Sequence, residues 1–185
     1  MRSSKEGTLY LLHDPLLLRT TNFKGRLSKY HDKELRHCRL ENGEPLPKLG
    51  KLLRLLSRSG VKHIFLEYKE RGREKDILSM ISRYGLKRRT IITQFNHRSL
   101  HSFRLLDRTV KLYYERDILR MKHLRVAKSL GCVAVGTRLI TTRRSIVAKA
   151  HRLSMKVFLF PIKKQSHLKK ALSLGVDGVF ANRIF

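Results

Sequence analysis

Few side chains in this sequence have the type and spacing to do chemistry, and they fall into three sets. The first is His13, which heads the tripeptide His13-Asp14-Pro15 at the end of a short apolar run that starts at Leu9. A histidine can exchange a proton near neutral pH, and a His-Asp turn can equally serve to hold a strand end by hydrogen bonding. The second set is Glu67 and Lys69. In an extended chain, residues i and i+2 face the same side, so these two opposite charges can simply pair. The third set is cationic: Arg88-Arg89, Arg143-Arg144, Lys163-Lys164 and Lys169-Lys170. Paired cations at the ends of elements can straddle adjacent phosphates of a nucleic-acid backbone. The other histidines, among them His97, His101 and His123, show no convergent metal pattern. Cys38 and Cys132 lie far apart without metal-ligand spacing and read as buried thiols in a reducing compartment.

Charge is the outstanding property of the composition. Lys and Arg total 42 against 14 Asp and Glu, a formal net charge of +28 over 185 residues. Self-repulsion on this scale destabilises a compact chain unless counter-charge comes from outside. Nucleic acid is the densest common source, and an anionic membrane surface is the other. Hydrophobic residues make up 41% of the chain, enough to build a core, so a disordered basic tail is excluded. No basic amphipathic helix and no long apolar run stands out, which favours nucleic acid over membrane. No signal peptide is visible, and the short basic start leaves little room for a removable targeting peptide.

The elements that must position these residues alternate. Strand-like runs at 63–68, 90–95, 110–114, 132–135, 156–160 and 178–181 are separated by helical patterns at 74–84, 99–106, 120–130, 144–153 and 165–174. A leucine stripe predicts another helix over 48–58. Gly60, Gly85, Gly131 and Gly175 sit just past helix ends, where a left-handed residue is wanted. Such alternation with short links predicts an α/β fold with a parallel sheet. A full (β/α) barrel needs about 200 residues or more, so the expected architecture is an incomplete TIM-type barrel. One domain spans 1–185: an irregular start over 1–59, then six β/α units over 60–185.

The segment Leu11-Leu12-His13-Asp14-Pro15, followed by Leu18-Arg19-Thr20-Thr21-Asn22-Phe23-Lys24-Gly25, resembles the glycerophosphodiester phosphodiesterase family. Further matches follow in family order: Glu34-Leu35, Pro47-Lys48-Leu49, Leu66-Glu67-Tyr68-Lys69, Gln94-Phe95-Asn96 and Gly175-Val176-Asp177-Gly178-Val179. The resemblance covers about residues 9–183 and implies a TIM-type barrel that cleaves phosphodiesters. It also implies a divalent cation held by carboxylates, and two histidines as general acid and base. His13 matches the second of those histidines, Glu67 one metal-binding carboxylate, and Lys69 the lysine that positions phosphate. The first histidine and two further carboxylates belong to family strands that precede the His-Asp-Pro segment, and only eight residues precede Leu9 here. Phe160-Pro161-Ile162 replaces the family's Trp-Thr-Val, and Ala181-Asn182 its Thr-Asp.

One glutamate rarely holds a hard divalent cation, and acid–base cleavage of a diester needs two proton-transfer groups. The expectation is therefore a catalytically inactive, phosphodiesterase-like barrel lacking the first two strands. In that reading His13, Lys69 and Glu67 are vestigial and neither metal nor cofactor is bound. Its function would be that of an RNA-binding structural subunit, with ribosomal RNA as partner. The phosphate contacts would fall at Arg88, Arg89, Arg143, Arg144, Lys163, Lys164, Lys169 and Lys170. The expected setting is a mitochondrial ribosome, with neighbouring proteins covering the open barrel seam and no membrane. The competing readings are an active phosphodiesterase completed by another chain, and a basic viral or chromatin-like packaging protein.

Overall fold

The computed structural model describes residues 1–184. They cluster into two compact units, residues 1–90 and the chain from Ile91 onward.

The first unit opens with a two-stranded hairpin that the sequence does not announce. Strands β1 (Arg2–Ser3) and β2 (Leu9–Tyr10) pair antiparallel, with Arg2 opposite Tyr10. An irregular stretch with one short helix, α1 (Asp32–Leu35), then packs on its own small core. That core is Tyr10, Leu12, Leu17, Leu27, Leu35, Cys38 and Leu46, with Phe23 and Tyr30 against it. The Asp32 carboxylate ties the stretch to the hairpin, accepting hydrogen bonds from the Thr8 and Tyr10 hydroxyls. Helix α2 (Leu49–Ser57) buries Leu49 and Leu53 from its leucine stripe and leaves Leu55 in solvent. The Arg89 guanidinium donates to Leu56 O, Ser59 O and Val61 O at 2.8–2.9 Å, gathering the carbonyls at and just past the helix end. Strand β3 (Ile64–Glu67) and helix α3 (Glu74–Arg83) follow. Ile64 N–H donates to Arg89 O, which sets β3 beside the lead-in to the next strand.

That strand, β4 (Thr90–Gln94), is buried at every position, as expected of a parallel strand covered on both faces. The second unit continues the alternation. It runs α4 (His97–Leu106), β5 (Lys111–Arg116), α5 (Met121–Ser129), β6 (Ala134–Arg138), α6 (Arg144–Arg152), β7 (Lys156–Ile162), α7 (Gln165–Ser173) and β8 (Gly178–Ala181). Each of these strands pairs in parallel with its sequence neighbour. With β3, the described residues hold six strands of this kind, and the fold is the incomplete TIM-type (β/α) barrel expected from the alternation. The differences are local. β6 and β7 run three and two residues beyond their expected ends, β7 passing through Pro161. Gly85, Gly131 and Gly175 adopt positive φ as anticipated, and Gly60 does not.

Inside the second unit Tyr113, Phe158 and Phe180 form an aromatic triad with centroids 5.7–6.0 Å apart. Two glycines make room for it. A Cβ on Gly136 would lie 1.8 Å from the Tyr113 hydroxyl, and one on Gly178 would lie 2.5 Å from a Phe158 ring atom. Tyr113 is fully buried and wedged edge-on against Phe158, so it has nowhere to swing. Gly136→Ala should therefore destabilise the protein by about 1–3 kcal/mol, the usual cost of overpacking. Adding Tyr113→Leu should recover part of that loss. Chemical denaturation of the two single variants and the double variant measures the coupling, and additive losses would reject the account.

Candidate active site

His13 stands where the chain leaves the β2 hairpin, its side chain 71% exposed. Its Nδ1 lies 2.6 Å from Asp14 Oδ1, and the Arg19 guanidinium donates to the other Asp14 oxygen. Those two contacts, Arg19 first and His13 second, hold the Asp14 carboxyl down at about 2. Asp14 is therefore ionised at neutral pH and can only accept, so His13 Nδ1 carries the shared proton and Nε2 is left for other chemistry. The Arg19-Thr20-Thr21-Asn22 motif that follows shapes the loop. Thr21 Oγ1 donates to Leu17 O at 2.9 Å, and Asn22 Oδ1 accepts from Arg39 N–H at 2.7 Å. The motif thus keeps Arg19 aimed at Asp14.

The second half of the site is the C-terminal end of β3. Lys69 Nζ lies 2.5 Å from Glu67 Oε1, the i, i+2 pairing that the sequence allows, with both side chains mostly out of solvent. Glu70, beside them, accepts from Ser3 N–H at 2.9 Å, from the Ser3 hydroxyl at 2.6 Å and from Arg2 Nη1 at 3.4 Å. Arg2 also donates through Nε to His13 O at 3.0 Å. Arg2 is thus the strut between the two halves: one end of its guanidinium holds the His13 backbone, the other the carboxylate that follows Lys69. Lys69 N–H adds a main-chain bond to Met1 O at 3.2 Å. The structure so links His13, Glu67 and Lys69 within one unit, through residues to which the sequence reading assigned no role: Arg2, Ser3, Asp14, Arg19 and Glu70. Asp14 and Arg19 lie inside the quoted motif and could have been found there. Arg2, Ser3 and Glu70 carry no local signal, since Glu70 meets Ser3 and Arg2 across 67 and 68 residues and Arg2 meets His13 across 11.

The residues present do not by themselves fit a divalent cation. A hard cation wants about six to eight oxygen ligands. Among the described residues no group of three or more His, Cys, Asp or Glu side chains converges. Glu67, the one carboxylate matched to that role, is bonded to Lys69.

The cationic pairs are scattered and have mixed local roles. Arg89 is engaged on backbone carbonyls at the end of α2, and Arg144 Nη2 donates to Ser173 O at 2.6 Å. Arg88, Arg143, Lys163, Lys164, Lys169 and Lys170 are exposed.

Comparison with known proteins gives a consistent result. The model of the glycerophosphoryl diester phosphodiesterase family matches residues 1–184. A glycerophosphodiester phosphodiesterase of Bacillus altitudinis is 25% identical over 194 residues, covering 97% of this chain and 79% of the relative. Among solved structures, a candidate glycerophosphodiester phosphodiesterase from Galdieria sulphuraria superimposes with TM-score 0.87 at 20% identity, over 98% of this chain and 79% of that one. An Oleispira antarctica phosphodiesterase, solved with the product sn-glycerol-3-phosphate, superimposes with TM-score 0.84 at 22% identity, over 97% and 77%.

These findings overturn the expectation of a catalytically inactive, RNA-binding ribosomal subunit. The family match spans every described residue, and the relatives are named as enzymes. The RNA-binding half of that expectation read function from net charge, and the inactive half from the family groups that find no match in the sequence. A charge of +28 states the sign of what surrounds a protein and nothing about its chemistry.

Proposed function

Because the chain belongs to the glycerophosphoryl diester phosphodiesterase family, we propose that it is an enzyme that hydrolyses glycerophosphodiesters. The observation that carries this reading is the His13–Asp14–Arg19 relay linked by Arg2 to the Glu67–Lys69 end of β3. In hydrolysis the oxygen of water bonds to phosphorus and the bond from phosphorus to the leaving alcohol's oxygen breaks. That oxygen must gain a proton while the water loses one. His13 Nε2, oriented by the Nδ1–Asp14 bond, is placed to give or take one of these protons. Lys69 supplies positive charge toward the phosphoryl oxygens, where charge builds in the transition state. A second proton-transfer group, and the carboxylates that would complete a cation site beside Glu67, lie in this reading outside the described residues.

The test uses the protein as isolated at low salt, with any chain it retains. Release of sn-glycerol-3-phosphate from glycerophosphoethanolamine, dependent on protein concentration and tracking with the protein through purification, is the expected result. A preparation that releases none, with Mg²⁺ or Ca²⁺ supplied, would sink the reading.

A further inference from the structure

The phosphodiesterase reading leaves the charge unexplained, and one surface of the first unit gives it a use. Along Leu16-Leu17-Leu18 the middle side chain is fully buried, while Leu16 is 50% and Leu18 62% exposed. Leu16 sits at an isolated bridge and Leu18 in the turn that follows, where Leu17 O accepts from Thr20 N–H at 3.2 Å and Thr21 N–H at 3.0 Å. Leu17 anchors the segment in the small core with Leu12 and Leu27. Backbone bonds fix the rest: Leu17 N–H donates to Gly25 O at 2.9 Å, Leu27 N–H donates to Pro15 O at 3.3 Å, and Leu16 bridges Arg26. The two outer leucines are therefore held out in water by a framework. Scattered single apolar residues on a surface are ordinary. These two stand beside exposed Lys24 and Arg26, in a stretch, residues 15–31, that holds four Lys and Arg and no Asp or Glu.

We propose that this loop docks the protein on an anionic lipid bilayer and that its diester substrate is carried by that bilayer. The substrate half of this statement rests on the phosphodiesterase reading; the docking half does not. A surface that joins apolar side chains to exposed cations matches the interface of an acidic membrane, where acyl chains lie just beneath anionic headgroups. A nucleic-acid backbone would use the cations and gain nothing from the leucines. The remaining positive charge adds long-range attraction to the same surface. Among the described residues no helix is long and apolar enough to cross a membrane. Two leucines insert weakly, and binding must therefore depend on anionic lipid and fade with salt. The geometry also serves the chemistry: Leu18 directly precedes Arg19, whose guanidinium bonds the carboxylate that orients exposed His13. A loop seated in headgroups brings that imidazole to the lipid surface.

Co-sedimentation with vesicles tests the idea. The protein should bind phosphatidylcholine vesicles containing about 30% phosphatidylglycerol and leave pure phosphatidylcholine vesicles alone. Raising salt from about 0.05 to 0.5 M should weaken binding at least about tenfold. Leu16→Ser with Leu18→Ser should lower partitioning about tenfold, and Lys24→Gln with Arg26→Gln similarly. The leucine pair should also slow cleavage of lysophosphatidylglycerol in vesicles while leaving soluble glycerophosphoethanolamine turnover unchanged. His13→Ala should bind vesicles as the parent does. Binding that ignores lipid charge, or that survives both double substitutions, would overturn the docking surface. So would an RNA affinity, or a self-association, that the leucine change removes. Vesicle binding without hydrolysis of any diester would keep the docking surface and reject the enzyme. Hydrolysis of soluble diesters without vesicle binding would do the reverse.

Discussion

Replacing His13 by alanine will lower diester hydrolysis by about 10²–10⁴-fold, the range typical for loss of a positioned proton-transfer group. The effect should fall on kcat, with KM nearly unchanged, because a group that moves a proton in the transition state contributes little to ground-state binding. Folding should be untouched: the side chain is 71% exposed, and its one side-chain bond goes to a carboxylate that Arg19 also holds. Thermal denaturation of the variant should therefore superimpose on that of the parent. Asp14→Asn supplies the control. An amide at 14 can present either its oxygen or its NH₂ to Nδ1, so the tautomer is no longer enforced. That change should produce a smaller loss than His13→Ala while leaving the imidazole in place. A His13→Ala variant that keeps activity within a few-fold of the parent would remove His13 from the mechanism and transfer the proton to a group outside this relay.

The architecture was legible in the sequence because its signals are local and periodic. The leucine stripe of α2, the apolar run of β4 and the glycines after α3, α5 and α7 each report on a few neighbouring residues, and the structure reproduces them closely. Half of the site was legible for the same reason, since His13, Asp14 and Arg19 lie within seven residues, and Glu67 with Lys69 on one strand end. What joins the halves was not. Arg2 reaches His13 across 11 residues and Glu70 across 68, and nothing at position 2 distinguishes this arginine from the other cations. The hairpin β1–β2 was equally silent, because two residues per strand are too few to show alternation. The larger misreading came from weight rather than pattern. The groups with no match suggest lost catalysis and the +28 charge suggests a nucleic-acid partner, and neither outweighs a family match over residues 1–184. Arg89 shows how such counting misleads, since it belongs to a conspicuous cationic run and serves to close a helix.

Lys69→Met should lower kcat/KM by about 10²–10³-fold, the range seen when one preorganised group facing a developing negative charge is removed. Methionine keeps an apolar stem of similar length, so the loss reports the ammonium and not the packing. Two roles compete for this lysine, and they predict different cycles. If Lys69 serves only to neutralise Glu67, 2.5 Å away, then removing the carboxylate removes the need for the cation. Glu67→Gln would then restore Lys69→Met to the level of Glu67→Gln alone. If Lys69 contacts the phosphoryl oxygens, the double variant should be at least as slow as Lys69→Met. Inhibition by inorganic phosphate separates the two roles independently of rate. A lysine on phosphate should make the inhibition constant rise at least about tenfold in Lys69→Met, a loss of about 1.4 kcal/mol, and a lysine on Glu67 should leave it unchanged. The phosphate role is the expected outcome, because the Lys69 ammonium stands at the strand end that Arg2 links to the His13 backbone.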